Sequence, residues 1–132
     1  MKALVMTMLA LLSLNATSCA ATKTQANTIN VCKILARPGD YVNKEVTLRG
    51  FVYLGVDHMN ISDRNCPGQG IELVIDNDKI FNRPDIQRFY KKLNHFGRKG
   101  MVTLTGIFVI EKSPLTPNVL HVHHARDEIS IN

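Results

Sequence analysis

The sequence predicts a small all-β domain: a closed five-stranded barrel with two helices. Three observations carry this. One short phrase occurs twice, Val46-Thr47-Leu48-Arg49-Gly50 before Phe51-Val52-Tyr53, and Val102-Thr103-Leu104-Thr105-Gly106 before Ile107-Phe108-Val109. Both copies alternate around β-branched and aromatic residues, which suit a pleated, half-buried surface. Each has a glycine in mid-strand, the mark of a bulge or a tight bend at a barrel corner. Shorter strand-like segments lie between and after the copies. A single amphipathic helical pattern separates the third strand from the fourth.

In chain order, a leading helix carries Val31, Ile34 and Leu35 on one face, with Thr28 or Asn30 as its cap. Arg37-Pro38-Gly39-Asp40 stops it. The first strand runs over 45–54, the second over 58–62 and the third over 71–75. The segment from Asp63 to Gly70 is dense in turn residues, and Asp76-Asn77-Asp78 reads as a closing turn. The second helix spans 84–94, capped by Asn82 or Arg83, with Pro84 in its first turn and Gly97 at its end. Ile86, Phe89, Tyr90 and Leu93 form its apolar stripe. The fourth strand covers 99–110. Ser113 to Asn118 is a stiff exposed loop, and the fifth strand covers 119–131 with a bend near Arg126-Asp127.

Residues 1–20 read as a signal peptide. Lys2 precedes an apolar run from Ala3 to Leu14, and small residues follow. Residues 21–27 form a polar tether, leaving 28–132 as the domain. Two cleavage routes fit. Ser18-Cys19-Ala20 suits ordinary cleavage, and Ala16-Thr17-Ser18-Cys19 resembles a bacterial lipobox that would lipidate Cys19. Either route takes Cys19 out of the thiol pool. Cys32 and Cys66 then remain as an even pair in an oxidising compartment, which predicts a disulfide; the alternative is two buried thiols. The expected address is periplasmic or secreted, with a lipid anchor to the outer membrane if Cys19 is modified. The formal charge is +5; without Lys2 it becomes +4, compatible with an anionic partner without demanding one.

A helix between the third and fourth strands of a five-stranded barrel is the arrangement of the OB-fold. The chain from about Val31 to Ile131 resembles the small exported OB-fold proteins of bacteria, the bacterial OB-fold and tRNA-anti-like group. The resemblance is carried by the leading helix with Cys32, by Asn43-Lys44-Glu45-Val46-Thr47-Leu48-Arg49-Gly50, by Asp63…Cys66-Pro67-Gly68-Gln69-Gly70-Ile71, and by Val102-Thr103-Leu104-Thr105-Gly106. It implies a five-stranded OB-fold barrel with an N-terminal helix, and no particular reaction.

Several clusters then compete as sites. Arg83, Arg88, Lys91, Lys92, Arg98 and Lys99 form a basic patch that would suit phosphate, lipid headgroups or an acidic partner, or simply a solvated helix face. His121 and His123 are two apart, so they share one face of a strand, and His58 could complete a zinc or copper site; the alternative is a polar strand face. No serine sits in Gly-x-Ser-x-Gly, and no nucleophile stands beside a base and its orienting partner. Nucleic acid is disfavoured, because the second and third strands lack Phe, Tyr and Trp. The reading that follows is a non-enzymatic, exported binding module for a protein, peptide or small anionic ligand, of inhibitor or immunity type among others. Its contact surface would be the two loops flanking the OB groove, with Tyr53, Asp57, His58, Asn60, Lys112 and Asn118. The competing reading is a periplasmic metal-binding or stress-related protein that uses the histidines.

Overall fold

A computed structural model describes residues 27–95 and 99–126. The expectations for residues 1–26, for Gly97 and Arg98 and for the chain beyond 126, the signal segment, Cys19 and the Arg126-Asp127 bend among them, lie outside this span. The elements run β1 (Thr28–Asn30), α1 (Val31–Ala36), a 3-10 turn (Pro38–Asp40), β2 (Lys44–Leu54), β3 (Met59–Ser62), β4 (Gly70–Val74), α2 (Asn77–Asn82), α3 (Pro84–His95), β5 (Lys99–Ile110) and β6 (Asn118–Arg126). The sheet order is β1-β2-β3-β4-β6-β5, and pairing of β2 with β5 closes the last five of these strands into an OB-fold barrel.

The two copies of the repeated phrase are each other's partners. Val46 lies opposite Gly106, Leu48 opposite Leu104 and Gly50 opposite Val102, so the antiparallel pairing is centred on two leucines that are both fully buried. One residue along, the Thr47 and Thr105 hydroxyls meet across the strands at 2.8 Å on the outer side. Every second residue of the phrase thus feeds the barrel interior.

The glycines act where two backbones approach. A Cβ on Gly106 would lie 2.2 Å from the carbonyl oxygen of His121. At this point the β5–β6 register slips. Gly106 faces Val122 and Thr105 faces His124, leaving His123 as the extra residue of a bulge. A Cβ on Gly50 would sit 2.6 Å from the Ser62 carbonyl oxygen and 3.1 Å from Val31. Up to Arg49, one edge of β2 is covered by β1; from Phe51 onward the same edge pairs with β3. Gly50 is the changeover, and α1 starts beside it.

The core gathers Val46, Leu48, Val52, Ile61, Ile71, Leu104, Phe108, Leu120 and Val122 from the barrel. Val31 and Ile34 of α1 enter from one side, and Ile86, Phe89 and Leu93 of α3 close one end. Asn30 caps α1, accepting from the Cys32 N–H at 2.7 Å. Arg83 precedes α3, its carbonyl accepting from the Gln87 N–H at 2.9 Å. Cys32 and Cys66 form the expected disulfide, with Cα atoms 5.7 Å apart.

Two elements depart from the sequence reading. Thr28 to Asn30 is a short parallel strand rather than only a capping segment. Asn77 to Asn82 is a third helix where a turn was expected. Its N-terminus holds an Asp76–Lys79 ion pair at 3.0 Å.

Candidate ligand-binding face

Alternation along β2, β3 and β4 sends Val52, Met59, Ile61, Ile71 and Leu73 inward. Phe51, Tyr53, Asn60, Ser62 and Glu72 therefore stand on the outer side. Register arranges them in two rows. Tyr53 lies opposite Asn60, which lies opposite Glu72; Phe51 lies opposite Ser62, which lies opposite Gly70. Gly70 has no side chain, so the second row stays open beyond Ser62.

Phe51 is the centre of this face. The Arg64 guanidinium carbon stacks over its ring, 4.5 Å from the centroid. A shallow groove of about 290 Å³ runs along Phe51, Tyr53, Ser62, Asp63 and Arg64. A second, of about 430 Å³, lies on the other side of Phe51, against β1, Arg49 and Met101. Asp63 is the wall shared by both grooves. One of its carboxylate oxygens accepts from Asn30 Nδ2 at 2.9 Å and the other from the Asn65 N–H at 2.8 Å. The disulfide joins the same two segments, so the wall is tied to α1 twice.

Two loops frame the face. Residues 55–58 turn tightly, with the Gly55 N–H donating to the His58 carbonyl at 2.8 Å and Val56 88% exposed at the tip. Residues 111–117 are closed by the Glu111 N–H donating to the Pro117 carbonyl at 2.8 Å, and Leu115 is 89% exposed. The Thr116 hydroxyl donates to Glu72, joining this second loop to the first row of the face. A third groove lies between residues 54–59, residues 72–75 and Tyr90.

The expected contact residues distribute accordingly. Tyr53 and Asn60 are neighbours on the face, and Asp57 and His58 stand exposed on the first loop. Lys112 is exposed on the second loop, and Asn118 is a partly buried strand residue opposite Ile110. Sequence reasoning missed Phe51 and Arg64. It also discounted nucleic acid for want of aromatics on the second and third strands. That argument needs correcting, because β2 changes its pairing partner at Gly50 and carries Phe51 and Tyr53 onto the face it shares with β3.

The histidines are not gathered into one site. His121 Nε2 faces Glu111 at 3.6 Å, and His123 Nδ1 faces Glu45 at 4.0 Å. His58 belongs to the first loop and lines the third groove, in which neither His121 nor His123 takes part. Among the described residues no group of three His, Cys, Asp or Glu side chains is placed to hold a metal ion. Burial, together with the charges of Lys79 and His124, holds the His123 pKa below the ordinary imidazole value against the pull of Glu45 and Asp76.

The basic patch is divided as well. Arg83 is engaged: its Nε donates to Asp85 at 3.2 Å, and its Nη2 lies 2.5 Å from His124 Nδ1. Arg88 and Lys91 are exposed and Lys92 is partly buried. Arg98 and the side chain of Lys99 fall outside the described span.

Asp85 pins α3 to β6. Its Oδ2 accepts from the Ala125 N–H at 3.1 Å. Burial disfavours its charged form, but the Arg83 hydrogen bond and charge, with the Ala125 and Ile86 N–H donors, outweigh burial and hold its pKa below the usual carboxylate range. A depressed carboxylate stabilises the fold above its unfolded pKa and loses that contribution as pH falls through the folded value. Asp85→Asn is therefore expected to cost about 1.5 kcal/mol at pH 7. Urea denaturation of both proteins at several pH values should show the gap closing below about pH 4. A gap that stays constant down to pH 2 would remove the Asp85 charge from the account.

No family model matches this chain, and no curated protein does. Solved structures do. A putative aspartyl-tRNA synthetase from Leishmania major Friedlin is 16% identical over 81% of this chain and 21% of its own, with a TM-score of 0.56. The asparaginyl-tRNA synthetase of Pyrococcus horikoshii is 16% identical over 80% of this chain and 24% of its own, with a TM-score of 0.55. An OBody bound to hen egg-white lysozyme is 15% identical over 70% of this chain and 88% of its own, with a TM-score of 0.51. This chain thus spans under a quarter of either synthetase. At these identities the likeness is one of fold.

Proposed function

We propose that the protein is a non-enzymatic, exported OB-fold binding module of the bacterial envelope. Its contact surface is the outer side of β2, β3 and β4, between the loops 55–58 and 111–117. The partner is a protein, a peptide or a small anionic ligand. The observation that carries the reading is the placement of Phe51 and Tyr53 side by side on an open face, with exposed apolar tips at Val56 and Leu115 on the flanking loops. Exposed aromatic and aliphatic anchors inside a polar surround are what binding surfaces use. The apolar leader in the sequence and the Cys32–Cys66 bridge support an oxidising destination.

Site-specific photo-crosslinking in growing cells tests it. A photoreactive residue at Tyr53 or Val56 of the full chain should give discrete adducts, and one at Lys91, on the exposed side of α3, should not. Adducts only from Lys91, or none from any position, would reject the face as the contact surface.

A further inference from the structure

Arg64 is a cation held on an aromatic ring. Lys79 and Arg83 are paired with carboxylates, and Lys44 donates to the Asp40 carbonyl. Arg64 is exposed, its flat side rests on Phe51, and among the described residues no carboxylate pairs with it. Its sequence neighbour Asp63 is already committed to Asn30 and Asn65. Stacking uses the face of a guanidinium and leaves its in-plane N–H fork unused. It also restricts the side chain, so less entropy is lost when the fork closes on an anion.

We propose that Arg64, held on Phe51, is an anion post that receives the carboxylate of an acidic peptide segment, whose apolar neighbours lie along Phe51 and Tyr53. This rests on the binding-face reading above and names its ligand chemistry. The fork matches a carboxylate or a phosphate geometrically. Asp63 decides between them, since an ionised carboxylate in the wall of the same groove repels a phosphate of about two charges more than a carboxylate of one. The rings of Phe51 and Tyr53 along the same groove also suit a peptide better than a bare ion.

Nuclear magnetic resonance titration of the isotope-labelled protein tests this, with three probes at constant ionic strength: an acetylated and amidated dipeptide of phenylalanine and glutamate, its glutamine counterpart, and inorganic phosphate. The glutamate peptide should shift the Arg64 side-chain Nε–H and the backbone signals of Phe51, Tyr53 and Ser62. It should bind about tenfold tighter than the glutamine peptide, the effect of one charge-assisted pair. Arg64→Gln should abolish that preference, with the melting temperature and the spectrum of the core retained, and Arg88→Gln should keep it. Equal affinity for the two peptides, tighter binding of phosphate, or a preference that survives Arg64→Gln would overturn the proposal. Crosslinks from Tyr53 and Val56 without any carboxylate preference would remove the anion post while leaving the binding face standing.

Discussion

Phe89→Ala is expected to lower the unfolding free energy by about 3 to 5 kcal/mol, the range for deleting a buried aromatic side chain and leaving a cavity. Phe89 is 1% exposed and lies on α3 between Ile86 and Leu93, both of which are also buried. Its ring meets Tyr90 edge-on, with centroids 6.1 Å apart, so the deletion also removes an aromatic contact. A domain of this size has about 5 to 15 kcal/mol in total, so about a fifth or more of its stability is at stake. The neighbouring Lys91 points to water, and Lys91→Ala should change stability by less than about 0.5 kcal/mol. Urea denaturation of both variants checks this, with the midpoint falling sharply for one and barely moving for the other. Similar losses at the two positions would mean that the buried face of α3 is not the one described.

The stripe that makes this expectation possible was legible in the sequence, since Ile86, Phe89, Tyr90 and Leu93 recur at helical spacing and the helix obeys it. The strands were legible for the same reason, and the fourth was placed over the observed Lys99–Ile110. What local pattern could not show was partnership. Leu48 and Leu104 each announce a buried strand position, but nothing near either says that it faces the other. The short strand Thr28–Asn30 exists only because β2 offers an edge 19 residues away. The helix Asn77–Asn82 was hidden by its composition: Asp76, Asn77 and Asp78 read as turn formers, and Phe81 is 74% exposed, so no apolar face betrays it.

The site was legible only in part, again for non-local reasons. Period two groups His121 with His123 on one side of a strand, yet His123 falls in a bulge, and which carboxylates they face depends on Glu45 and Glu111, both far away in sequence. The aromatic test for nucleic acid considers the second and third strands alone, although β2 turns from one pairing partner to another at Gly50 and carries its aromatics with it. That turn is visible in the sequence as a mid-strand glycine. Its consequence, two rings on the open face, needs the register of β3.

Removing the bridge with Cys32→Ser and Cys66→Ser together is expected to cost about 3 to 4 kcal/mol in the chain-entropy model, because the bridge closes a loop with a sequence separation of 34. At about 4 to 8 °C per kcal/mol for a domain near this size, the melting temperature should fall by roughly 12 °C or more. The closed loop contains all of β2 and β3, so the unfolded chain regains its freedom over the strands that build the face. In the folded protein, Val31 and Ile34 remain fully buried, and the 2.9 Å hydrogen bond from Asn30 to Asp63 still crosses the same junction. The barrel should therefore survive with its native spectrum while α1 exchanges its amide hydrogens faster than α3, since α1 loses its covalent tie to the β3–β4 connection and α3 loses nothing. Calorimetry of the bridged protein and the double variant, with hydrogen exchange on both, measures each part. Protein purified without reductant should also show no free thiol at Cys32 or Cys66 under denaturing conditions. Two reactive thiols there, or equal melting temperatures with and without the bridge, would contradict this account. Faster exchange spread evenly over α1 and α3 would mean that the bridge supports the whole barrel rather than one wall of the groove beside Phe51.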